Sequence, residues 1–150
     1  MTDLDELYQE VILDHTRRPR NFGSLKGANC RAEGVNPLCG DHVTLQLQVE
    51  NGIVRDARFQ GNGCAISTAS ASLMTQAIKG KPTDEVVRLF ERFHQALTSS
   101  LEGESDLEGL GKLAVLTGVR EFPLRVKCAS LAWHTLKSAL EGRSEPVTTE

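Results

Sequence analysis

No run of about 18 apolar residues occurs in the chain, so none of it is expected to span a membrane. Aromatic residues are scarce, at 5%. The core must therefore be built from Leu, Val, Ile and Ala, within an apolar fraction of 39% that is ample for one. No Lys/Arg block marks a nucleic-acid footprint, and a net charge of -3 with a pI near 5.8 points away from one. The longest basic cluster, Arg17, Arg18 and Arg20, is broken by Pro19 and suits an exposed helix end, where cations favour the macrodipole. Repeats and an evident linker are lacking. The opening MTDLDELYQE is acidic, unlike a signal peptide or an Arg-rich transit peptide, so the expected location is the cytoplasm, where thiols stay reduced. There is no CxxC pair. Four cysteines in that compartment point to metal binding or thiol chemistry rather than disulfides.

At 150 residues the chain suits one domain, expected to span residues 1–142 with a flexible tail at 143–150. Leu4, Leu7, Tyr8, Val11 and Ile12 recur at helical spacing, which predicts a helix over 4–17, capped by Asp3 or Thr2 and ended by Pro19. Val43, Leu45, Leu47 and Val49 alternate with polar residues, as in a strand buried on one face. Asn51-Gly52 is a hairpin signal, Ile53 to Phe59 reads as the return strand, and a shorter strand fits Cys30 to Val35. Helices are expected over 65–79, from Thr83 to about Leu97, and after Pro123, with the acidic Ser99 to Gly111 stretch as loop or short helix. Strands first and helices after predict an α+β domain, a small three-stranded antiparallel sheet with helices packed on one face.

Three cysteines fall at the ends of these elements. Cys39 precedes a strand, Cys64 follows one and starts a helix, and Cys128 lies near the start of the last helix. Gly61 and Gly63 leave room beside Cys64, and the positive end of a helix dipole favours a thiolate at such a position. Asp41, two residues from Cys39, shares its side if the segment is extended. Three thiolates and a carboxylate make a reasonable tetrahedral set for zinc. With a divalent ion such a centre carries roughly two excess negative charges, so Lys127 and Arg125 beside Cys128 are candidates to offset them. Cys30 lacks flanking glycines and sits in a strand, which reads as structural. His42 should face the other side of its strand, and His15, His94 and His134 show no ligand-like spacing.

At these motifs the chain resembles the U-type iron–sulfur assembly proteins, the IscU/SufU family with the NifU N-terminal domain. The resemblance covers nearly the whole chain. Leu7 to His15, followed by Pro19-Arg20-Asn21, looks like the family's N-terminal helix; Asn36-Pro37-Leu38-Cys39-Gly40-Asp41 matches its first cysteine motif; Gly61-Asn62-Gly63-Cys64-Ala65-Ile66-Ser67 is similar to its second; and Arg125-Val126-Lys127-Cys128-Ala129 resembles its third. Where the scaffold branch has a histidine before the third cysteine, this chain has Lys127. The Leu-Pro-Pro-Val-Lys motif is replaced by Phe122-Pro123-Leu124-Arg125-Val126-Lys127, and extra residues fall between about 95 and 120. These departures resemble the SufU branch.

The resemblance implies a fold like that of the SufE and NifU proteins and zinc held by Cys39, Asp41, Cys64 and Cys128. It also implies sulfur acceptance from a pyridoxal-phosphate cysteine desulfurase of the SufS type, with delivery to a downstream iron–sulfur scaffold complex. Cys39, between Pro37 and Gly40, is the expected acceptor, with Asp41 as a labile ligand and Cys64 and Cys128 as firm ones. The alternative it implies is a scaffold on which iron or a [2Fe–2S] cluster occupies the same residues.

Overall fold

The structure, a computed structural model, describes residues 3–98, 111–142 and 145–149. Helix α1 (Asp3–Arg17) is followed by strands β1 (Cys30–Asn36), β2 (Asp41–Glu50) and β3 (Ile53–Asn62). Helices α2 (Ala65–Ile78) and α3 (Thr83–Thr98), a 3-10 helix (Gly111–Glu121), α4 (Pro123–Glu141) and strand β4 (Val147–Thr148) complete the chain. The side chains of Asp3, Leu4, Leu7 and Tyr8, the candidate cap Thr2, and the acidic stretch before Gly111 lie outside the described residues.

The period-two pattern becomes the centre of the sheet. β2 pairs antiparallel with β1 on one side and β3 on the other. Asn51 and Gly52 turn the hairpin at φ of 54° and 74°, the left-handed pair that a tight two-residue turn requires. Val43, Leu45 and Leu47 are buried on one face, while His42 on the opposite face is exposed. The buried face is covered by α4, with α2 beside it. Leu73, Met74 and Ile78 of α2 and Leu131, Trp133 and Leu136 of α4 join Leu45, Leu47, Val54 and Phe59 in one core. Phe93 of α3 packs on Trp133 with ring centroids 4.7 Å apart.

The α+β class and the helix-covered sheet are as the pattern predicts, but the sheet has four strands, in the order β3-β2-β1-β4. The expected three-stranded sheet is corrected by β4, which lies parallel to β1 through Gly34–Val147 and Val35–Thr148 and is continued by Thr149 N–H donating to the Val35 carbonyl at 3.1 Å. Two paired residues carry no periodicity of their own. β4 forms because the edge of β1 offers unpaired backbone groups to a segment returning from α4. The 3-10 helix, to which the sequence pattern assigned nothing beyond Gly111, buries Leu113, Leu116 and Val119.

α4 lies directly over β1 at Gly34. A Cβ there would collide with Thr135 Oγ1 and come within 3.1 Å of Leu131 Cδ1. Gly34→Ala is expected to cost about 1–3 kcal/mol in urea unfolding. Thr135→Ala in the same chain should recover part of that loss, because the two substitutions act on one contact. Strictly additive effects would contradict the close packing.

Candidate metal centre

One end of the sheet collects the sulfur and carboxylate chemistry. Asp41 is the first residue of β2 and follows the inward parity of Val43, Leu45 and Leu47, so its carboxylate is buried, at 2% exposure. Cys39 lies in the β1–β2 turn, closed by Cys39 N–H donating to the Asn36 carbonyl at 3.2 Å, and it is exposed. Cys64 lies two residues past the end of β3 and is the N-cap of α2. Its sulfur accepts the Ser67 amide N–H at 3.4 Å, satisfying one of the donors that a helix start leaves open. Cys128 lies in the second turn of α4 and is buried.

Three of these positions converge, and Cys64 stands beside Asp41 without joining that closest group. The donor atoms of Cys39, Asp41 and Cys128 all lie within 4.8 Å of one another. Cys128 Sγ is 3.4 Å from Cys39 Sγ, and Cys64 Sγ is 3.8 Å from Asp41 Oδ2. Asp41 Oδ1 accepts the Cys64 backbone N–H at 2.8 Å, which fixes the start of β2 to the start of α2. Close approach of that kind needs small residues alongside. A Cβ on Gly63 would stand 2.9 Å from Asp41 Oδ1 and 3.3 Å from Ser67, and one on Gly61, at φ 148°, would strike the His42 carbonyl.

Among the described residues the donor set is sulfur and carboxylate, with no histidine in it. Soft thiolates with one oxygen donor match zinc or iron. Donors bound at about 2.0–2.3 Å to a tetrahedral ion stand about 3.3–3.8 Å apart, and the Cys128–Cys39 and Cys64–Asp41 separations fall in or beside that range. The residues therefore fit a metal ion of this class. Burial first, then hydrogen bonding with Asp41, Cys39 and Cys64 and the charge of Cys64, push the Cys128 thiol far above its ordinary value of 9.0. A metal that binds Cys128 must displace a tightly held proton, so uptake should release acid and strengthen as pH rises toward neutrality and beyond.

The remaining candidates divide. Lys127 is half-buried, and its carbonyl accepts from Thr149 Oγ1 at 3.3 Å. Arg125 is exposed, with its guanidinium 4.4 Å from the centroid of the Phe122 ring. Cys30 is partly buried against the core, as its strand position suggests. His15 is buried with Nδ1 2.7 Å from Ser72 Oγ, and His94 and His134 pack edge to face, so neither His15 nor this pair enters the cluster. A role for Asn36 was not assigned from the sequence. It is fully buried, and its Nδ2 donates toward Cys128 Sγ at 3.7 Å. The signal was available: Ala32, Gly34 and Asn36 share the inward parity of β1.

Residues 7–141 match the family described as the NifU-like N-terminal domain. The chain is 41% identical over 138 residues to the zinc-dependent sulfurtransferase SufU of Bacillus subtilis, covering 92% of each chain. It is 43% identical over 141 residues to the iron–sulfur cluster assembly scaffold protein IscU of Thermotoga maritima, covering 93% of this chain and 96% of that one. Among solved structures it resembles a candidate SUF-system scaffold protein from Fervidobacterium islandicum, at a TM-score of 0.81 and 35% identity, with 90% of this chain and 97% of that one covered.

The raised Cys128 thiol has a consequence for the metal-free protein. A folded state that holds its proton more tightly than the unfolded chain gains stability below the unfolded value and loses it as pH rises past that value. Metal-free protein should therefore lose stability above about pH 9, and Cys128→Ala should flatten that loss in urea titrations taken at several pH values. An equally steep decline in the variant would contradict this assignment.

Proposed function

Because the chain belongs to the NifU-like N-terminal domain family, whose work is iron–sulfur cluster assembly, we propose that it is a zinc-dependent sulfurtransferase that accepts persulfide sulfur on Cys39. The observation that carries this reading is the unequal exposure of the donors: Cys39 is exposed, Cys64 intermediate, and Cys128 and Asp41 buried. One sulfur of the centre can meet another protein's cysteine while the other donors stay in place.

The family's role implies a cysteine desulfurase as partner, and the SufS type fits the likeness to the B. subtilis sulfurtransferase. The Cys39 thiolate attacks the outer sulfur of the donor persulfide. A new S–S bond forms on Cys39 as the old one breaks, and the donor cysteine leaves as a thiolate. Sulfur moves with no external oxidant or reductant, and the proton stays on the transferred sulfur. Zinc held by Cys39, Asp41, Cys64 and Cys128 would keep these sulfurs deprotonated at neutral pH. Cys128, buried and hydrogen-bonded, and Cys64, fixed at the start of α2, are the anchoring donors. Asp41 is the oxygen donor, the weakest partner for a soft ion. Lys127 and Arg125 are the nearby cations assigned to offset the excess negative charge. The sulfur then passes to a downstream iron–sulfur scaffold complex.

A second reading, a scaffold carrying an iron centre or a [2Fe–2S] cluster on the same residues, is favoured by the relatives named as IscU scaffolds at 39–43% identity. Lys127, in the place where the scaffold branch has a histidine, removes a ligand that this reading needs.

Cys39→Ala separates the two. The variant should retain substantial zinc on the remaining donors, yet show no one-sulfur mass gain after incubation with desulfurase and cysteine, and no stimulation of the desulfurase. Normal stimulation by a folded, zinc-bound Cys39→Ala protein would exclude the relay and leave the scaffold.

A further inference from the structure

Asn36 ends β1 with its side chain turned inward and 0% of its surface exposed. Its Nδ2 lies 3.7 Å from Cys128 Sγ, while its Oδ1 has no hydrogen-bond partner among the described residues. Its backbone carbonyl accepts the Cys39 N–H at 3.2 Å. One residue thus contacts both cysteines of this pair, the Cys39 backbone N–H through its carbonyl and the Cys128 sulfur through its amide.

The turn does not need that amide. Its closure is a backbone bond, and the Asn36–Asp41 register pair ends the β1–β2 ladder whatever the side chain. Nor does the metal-free core benefit from it. A neutral thiol is a weak acceptor, so an amide that gives its donor to one and leaves its oxygen unpaired in the interior is poorly compensated. An apolar side chain of similar size would serve the metal-free fold as well or better. The balance changes when the sulfur carries charge. A hydrogen bond to an ionised group is shorter and roughly twice as strong, and a metal-bound thiolate in a centre with excess negative charge is such a group.

On the metal-centre reading given above, we infer that Asn36 is a positioning residue of that centre, whose side-chain N–H holds the Cys128 sulfur as a bound thiolate. Cys39, exposed and without a side-chain amide donor among the described residues, is the sulfur left free to react. The unequal roles of two sulfurs 3.4 Å apart then have a cause built into β1. Donors of this kind, one step beyond the ligands, are typically worth about 10–100-fold in metal affinity.

The test uses the full chain with Asn36→Leu, which removes the donor and keeps the number and branching of side-chain heavy atoms, and Asn36→Asp, which keeps the shape and replaces the donor with a charged acceptor. Three quantities are read: zinc affinity by competition with a chromophoric chelator, the thiolate-to-cobalt charge-transfer bands of cobalt-loaded protein, and the melting temperature without metal. Both variants should bind zinc about 10–100-fold more weakly, Asn36→Asp the more so. The cobalt bands of Asn36→Leu should move to lower energy as a sulfur loses its hydrogen bond. Metal-free Asn36→Leu should melt no lower than the parent. Unchanged zinc affinity and band positions overturn the inference, as does a fall in metal-free melting temperature with both metal readouts unchanged. If Asn36→Leu does not fold, unchanged zinc affinity in Asn36→Asp overturns it equally. A parent protein that shows no thiolate–cobalt bands overturns the metal-centre reading and this inference with it; a parent that shows them beside unaffected variants overturns the inference alone.

Discussion

The hydrogen bond from the Cys64 amide to Asp41 Oδ1, at 2.8 Å, is the constraint on which the centre depends. It joins the first residue of the central strand to the cap of the helix that follows the sheet. Asp41 can make it only because strand parity turns the carboxylate inward, and Cys64 can approach only because Gly63 leaves the space that a Cβ would occupy. Burying a carboxylate is costly unless its charge is met. Here the cost is offset by a backbone donor and by the position of Oδ2 near the Cys64 sulfur. With Asp41 fixed, the β1–β2 turn that carries Cys39 begins at a defined point. α4, seated on β1 at Gly34, brings Cys128 to the same corner.

That corner orders its sulfurs by environment. Cys128 is buried beside an amide donor, Cys64 takes a helix-start N–H, and Cys39 stands in an exposed turn. Each setting follows from an ordinary structural element: a helix second turn under the sheet, an N-cap, a hairpin loop. The chemistry is therefore a by-product of where the fold ends its elements, and the differences among the three sulfurs need no unusual backbone at the cysteines themselves.

Much of this was legible in the chain. Alternation from Val43 to Val49 and the Asn51-Gly52 turn define the hairpin, and the helices over residues 65–78 and 83–98 and after Pro123 follow their apolar spacing and breakers. The candidate donors could be named from glycine context and element ends, although spacing without a CxxC pair is weak by itself, and the ordered motifs of the family carried the set. What the sequence did not yield depends on tertiary contact. β4 is two residues that pair only because β1 has an open edge. The 3-10 helix buries Leu113, Leu116 and Val119 at a spacing of three, too short a run to stand out in the sequence from loop. Asn36 was given no role of its own, and its place against Cys128 exists only once α4 lies over β1.

The central claim is one metal centre with a single accessible sulfur. Timed alkylation of the zinc-loaded protein, with each cysteine followed by peptide mass spectrometry, tests it most directly. Cys39 should be modified first while Cys64 and Cys128 remain protected until zinc is removed. Equal modification of all three with zinc bound, or protection of Cys39 as complete as that of Cys128, would contradict it.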